Sequence, residues 1–111
     1  MDRRELVEAA RRVIHLEGQA VLRLEDRIDD SFVRAVQMLA HLKGRAIVSG
    51  VGKSGIIARK LAATLTSTGT PAFFLHPVEG VHGDLGLVLR DDLLIVISKS
   101  GESDELYELL R

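Results

Sequence analysis

At 111 residues the chain is long enough for one domain and no more. Fifteen basic and sixteen acidic side chains leave a formal charge of −1, so no basic surface advertises a nucleic-acid or membrane-surface partner. The absence of cysteine removes disulfides, thiolate nucleophiles and Cys-based zinc sites. The charged start, with no apolar run near the roughly 20 residues of a membrane span, points to a cytoplasmic protein.

The first segment reads as a long helix. Val7, Ala10, Ile14, Val21, Leu24 and Ile28 fall three and four apart or at multiples of that spacing, with Glu17 breaking the seam. Such a stripe packs on its own domain or on a second subunit. Asp29-Asp30-Ser31 then supplies N-cap chemistry for a second helix, with Phe32, Val33, Val36, Leu39 and Ala40 as its buried face and Gly44 as its stop. From Arg45 the period changes. Arg45–Ser49 is a short apolar strand that runs into Gly50-Val51-Gly52-Lys53-Ser54-Gly55. A helix from Ile56 to about Ser67 follows, with Ile57, Leu61, Ala62 and Leu65 inward and Arg59 and Lys60 in solvent. Gly69-Thr70-Pro71 breaks it, and Ala72–Leu75 is a second strand.

Residues 78–92 are irregular and contain His82-Gly83-Asp84-Leu85-Gly86. Leu93–Ser98 is the most apolar and β-branched stretch. It lacks polar alternation, as strands buried on both faces of a parallel sheet do. Ser100-Gly101-Glu102-Ser103 opens a last helix. Strands separated by helices imply right-handed crossovers and an α/β fold with a parallel sheet and flanking helices. Strand 93–98 is expected at the centre, its far side completed by a further piece of chain or by a partner. That flank and the seam of the first helix together predict a homo-oligomer.

Two turns lie at the carboxyl ends of strands, where open α/β sheets bind ligands. In the second, Ser98, Ser100 and Ser103 surround Gly101 at a helix start. Free N–H groups, a partial positive charge and three hydroxyls are what a phosphate monoester needs, and Lys99 adds a cation. The same serines would also serve as plain helix caps, with Glu102 favourable to the dipole. The first turn matches G-x-G-x-x-G between strand and helix. A dinucleotide site also needs an acidic residue ending the second strand, where Leu75-His76 stands, and a Walker loop needs glycine in place of Ile47. Without a nucleotide, Gly50, Gly52 and Ser54 form a backbone-lined turn, with Lys53 at the same sheet edge as the serines.

With both turns in view, the sequence resembles the SIS (sugar isomerase) family, and within it the arabinose-5-phosphate isomerases of the 3-deoxy-manno-octulosonate pathway, which feeds lipopolysaccharide synthesis. The likeness runs from about Gly44 to Leu106. It rests on GVGKSGIIARKLAATLTSTGTPAFFLHP, HGDLG and ISKSGES occurring in that order. The resemblance implies a flavodoxin-like parallel sheet and interconversion of ribulose 5-phosphate and arabinose 5-phosphate, with a phosphorylated pentose as ligand and no required cofactor. Carried over residue by residue, it places phosphate on Ser98, Ser100 and Ser103, the active-site lysine on Lys53 and one catalytic glutamate on Glu105. His82 lies in the family's active site and is associated there with a divalent metal.

The resemblance also implies a single, partial SIS domain. Residues 1–43 would be its leading helices and 44–111 its first three strand–helix units, with no CBS modules. A further glutamate and a histidine of the family's site would lie beyond Arg111. The alternative is a non-catalytic, phosphosugar-sensing SIS domain. A purely structural dimerisation module is disfavoured by the retention of Lys53, Glu105 and both turns.

Overall fold

A computed structural model describes residues 1–77 and 88–99 of the chain. Its elements run α1 (Arg3–Arg23), a 3₁₀ turn (Leu24–Arg27), α2 (Asp30–Ala40), β1 (Ala46–Ser49), α3 (Gly52–Ser67), β2 (Ala72–Phe74) and β3 (Leu93–Val96). The chain divides into two compact units, residues 1–36 and 37–111, with the boundary inside α2.

In the first unit, the Asp2 carboxylate accepts from the Glu5 amide at 2.8 Å and caps α1, and Arg4 pairs with Glu8 one turn on. Asp29 caps α2 by accepting from the Ser31 and Phe32 amides. Both helices stand where the periodicity puts them, but the expected burial does not follow. No residue of α1 is buried, and Ile14 and Val21 are 70 % and 66 % exposed. Phe32, Val33 and Val36, expected to form the buried face of α2, remain about half exposed.

The second unit holds the sheet. All three strands are parallel, in the order β2-β1-β3. This 2-1-3 arrangement is that of a flavodoxin-like α/β fold. β1 lies between β2 and β3, and β3 keeps one flank unpaired among the described strands, on the side where a further piece of chain or a partner is expected. Ala46, Ile47, Val48 and Ser49 are all at 0 % exposure, and every residue of β3, paired on one side only among the described strands, is half-buried.

The pleat of β1 sorts its side chains to two faces. Val48 turns to α3, where it meets Ala58 and Ala62 with Leu61, Leu65, Phe74, Ile95 and Ile97 around them. Small alanines let α3 lie close on the sheet. Ile57, expected inward, is 58 % exposed because Ala58 takes the buried position. Ile47 turns the other way, onto Leu75, Phe73, Val88 and Leu94. The Thr66 hydroxyl donates to Ala72 O at 2.9 Å and ties the end of α3 to the start of β2.

At the amino ends of the strands, Asp92 clamps β3 to β1. Its carboxylate accepts from the Arg45 amide at 2.7 Å, from the Leu89 amide at 2.8 Å and from the Arg45 guanidinium at 3.1 Å. The two backbone donors, Leu89 first and then Arg45, outweigh burial and hold the Asp92 carboxyl at about 2, below the ordinary 3.8. Gly44, expected to stop α2, acts here instead. A Cβ on it would stand 2.6 Å from Asp91 O and from Asp92 Oδ1.

Candidate functional site

The carboxyl ends of β1 and β3 lie side by side, because Ser49 pairs with Val96 in parallel register and the Ile97 amide donates to Ser49 O at 2.8 Å. The turn after β1 is built from glycines with different duties. Gly52 has φ +58, a left-handed conformation that suits glycine, and opens α3. Gly50 and Gly55 are instead needed for close approach. A Cβ on Gly50 would lie 2.9 Å from Ile97 O, and one on Gly55 would lie 2.7 Å from Gly50 O. The glycines therefore press the helix start onto the strand end and that strand end onto β3.

This packing brings Gly50, Gly52, Lys53 and Ser54 to the same sheet edge as Ser98 and Lys99. Lys53 and Lys99 are exposed, and Ser54 and Ser98 are half-buried. Among the described residues neither lysine is in an ion pair. The edge thus combines the start of a 16-residue helix, two cations and hydroxyls from both turns, a combination suited to an anion with several oxygens. His82, Ser100, Gly101, Glu102, Ser103 and Glu105 lie outside the described residues. Among the described residues no three His, Asp or Glu side chains converge as a metal site.

Two features escaped the sequence reading. Arg59, read as solvated, lays its guanidinium 4.1 Å from the centroid of the Phe74 ring, and His76 meets the same ring edge-on at 6.3 Å. The i, i+2 spacing of Phe74, the last residue of β2, and His76 just beyond it was the available signal. The second feature is Ser49: it is fully buried, and its Oγ has no hydrogen-bond partner among the described residues. A hydroxyl ending an otherwise apolar Ala-Ile-Val-Ser strand was the signal there.

A 2-1-3 parallel sheet with a glycine turn joining its central strand to the following helix defines an open, flavodoxin-like α/β domain. Residues 38–111 match the SIS domain family model, and the chain belongs to that family. It is 52 % identical to the arabinose 5-phosphate isomerase GutQ of Escherichia coli K12 over 101 residues, 91 % of this chain. It is 48 % identical to the arabinose 5-phosphate isomerase KdsD of Pseudomonas aeruginosa over 106 residues, 96 % of this chain. In both cases the match spans 32 % of the relative, so the chain corresponds to about a third of their length.

Among solved structures, an Escherichia coli CFT073 protein in complex with arabinose 5-phosphate superposes with a TM-score of 0.93 at 46 % identity. That match covers 99 % of this chain and 58 % of the other. A sugar-phosphate isomerase homologue from Listeria monocytogenes gives 0.94 at 34 % identity, with the same coverage of each chain. Among the described residues no helix is long and apolar enough to cross a membrane.

Proposed function

We propose that the chain is the sugar-phosphate-binding part of a cytoplasmic aldose–ketose isomerase that interconverts ribulose 5-phosphate and arabinose 5-phosphate. The observation that carries this reading is the junction of the two turns at one sheet edge, with Lys53 on one and Ser98 on the other. The relatives named as arabinose 5-phosphate isomerases supply the substrate class.

Moving a proton between C1 and C2 through an enediolate requires a proton-transfer group near the two carbons and a cation facing the developing oxyanion. Glu105 is assigned the proton transfer, Lys53 the oxyanion and His82 the polarisation of a carbonyl or hydroxyl. Ser98, Ser100 and Ser103, with Gly101 and the Glu102 amide, hold the phosphate at the far end, and Gly50, Gly52 and Ser54 line the approach. Anchoring the phosphate spends remote binding energy on orienting the reacting carbons. A divalent metal at His82 would polarise the same oxygen. The assembly proposed is a homo-oligomer built on the exposed apolar stripe of α1.

Residues 1–111 joined to the remaining length of Escherichia coli GutQ should isomerise arabinose 5-phosphate without added nicotinamide or flavin. Glu105→Gln or Lys53→Ala in that chimera should lower turnover on the order of 10²–10⁴-fold. Residues 1–111 alone should show negligible turnover, and robust activity from them would overturn the division of the site. A chimera that binds the phosphosugar but never converts it would favour the sensor.

A further inference from the structure

Ser49 is the last residue of β1, fully buried, and its hydroxyl has no partner among the described residues. An unsatisfied buried hydroxyl is a cost that folding alone gives no reason to keep, since alanine would fit the same space. Its position supplies a reason. Strand alternation puts Ser49 on the face of Ile47, away from α3. On β3 the same alternation runs from Leu94 through Val96 to Ser98. Ser49 pairs with Val96, so Ser98 is its diagonal neighbour on the same face, one strand over and two residues nearer the carboxyl edge. Strand spacing and rise set the two Cα positions about 8 Å apart. One oxygen atom between the two serines closes such a gap.

We propose that Ser49 is a positioning residue for the phosphate turn. Its hydroxyl is held in reserve in the free protein and is taken up, through one ordered oxygen, by the Ser98 turn when a phosphate ester binds. This rests on the phosphosugar reading given above and deepens it, because it assigns part of the phosphate affinity to a buried side chain one strand over from Ser98. No proton moves and no bond is made or broken; Ser49 acts through Ser98 and does not touch the reacting carbons.

The test measures two quantities on the 111-residue chain: thermal unfolding without ligand, and titration with arabinose 5-phosphate against unphosphorylated arabinose, with the Ser98 amide resonance followed. Ser49→Ala should melt at or above the wild-type temperature, because an unpaired hydroxyl has been removed. It should bind arabinose 5-phosphate about 3–10-fold more weakly, the loss of one hydrogen bond, with the ligand-induced shift of the Ser98 amide reduced. Ser49→Thr, which keeps the hydroxyl, should restore the affinity. If Ser49→Ala melts lower and binds normally, the hydroxyl has a structural duty and the proposal fails. If it melts higher and binds normally, the hydroxyl has no duty and the proposal fails equally. A wild-type chain that does not distinguish the phosphorylated from the unphosphorylated sugar overturns the phosphosugar reading itself, whatever Ser49 does.

Discussion

Gly44→Ala should destabilise the sheet even though Gly44 lies in neither a helix nor a strand. Its backbone is outside the left-handed region, so the added methyl group is the whole perturbation. That methyl would sit 2.6 Å from Asp91 O, 2.6 Å from Asp92 Oδ1 and 2.7 Å from Asp91 C. Two of these are backbone atoms at the mouth of β3, and the third is a carboxylate oxygen that already accepts from the Arg45 amide at 2.7 Å. Such contacts are well inside ordinary van der Waals distance, so Asp91 or Asp92 must shift, and Asp92 Oδ1 is an acceptor of the clamp. Overpacking of this kind costs about 1–3 kcal/mol, and each kcal/mol lowers the melting temperature of a domain this size by roughly 4–8 °C. Thermal unfolding of the wild type, Gly44→Ala, Asp92→Asn and the double variant checks it. The two single effects should fall short of additive, because both act on one set of hydrogen bonds. A Gly44→Ala chain that melts with the wild type, or strictly additive losses, would refute the reasoning.

Three further outcomes are expected. Asp92 titrates at about 2 in the folded chain against an ordinary 3.8, so its contribution is complete above 3.8 and is lost as the pH falls towards 2. Melting temperatures recorded across that window should fall in the wild type and fall less in Asp92→Asn. Ser100→Ala should cost about 1–3 kcal/mol of phosphosugar binding if a charged hydrogen bond is lost, while affinity for the unphosphorylated sugar stays as it was. Sedimentation at micromolar concentration should show at least a dimer. Ile14→Glu combined with Val21→Glu should dissociate it, and a wild-type monomer would remove α1 as the contact surface.

The sequence was legible where local chemistry decides the outcome. The cap at Asp29, the break at Gly69 and the strand–glycine turn–helix order at residues 46–67 were all readable, because each depends on residues a few positions apart. The strand pairing is not of this kind. Leu93–Val96 reads as a strand buried on both faces, but that it pairs with Ala46–Ser49 while Ala72–Phe74 takes the other side is settled between residues far apart in the chain. Hydrophobicity favours Ile57 inward, whereas a helix lying close on a sheet buries Ala58 and leaves Ile57 exposed. Within the site, residue types and turns were readable, while the role of Gly50 depends on Ile97 and the isolation of Ser49 on everything around it. Neither is a local property.

The clamp at Asp92 also bears on the order in which the chain assembles. Arg45 and Asp92 are 47 positions apart, and β3 pairs with β1 only after the strand–helix–strand stretch between them has been bypassed. Closing so long a loop is entropically uphill until the contacts at its end form. β1 and β2, paired from Ala46 to Ala72 across α3 alone, close a shorter loop. On this account β3 docks late, and Asp92 at its leading end meets two donors of Arg45, the amide and the guanidinium, as the strand arrives. The opposite edge, where the Ile97 amide reaches Ser49 O and Ile97 O packs against Gly50, exists only once β3 is paired along its whole length. The edge that brings Lys53 and Ser98 together is then missing from any form in which the third strand is unseated.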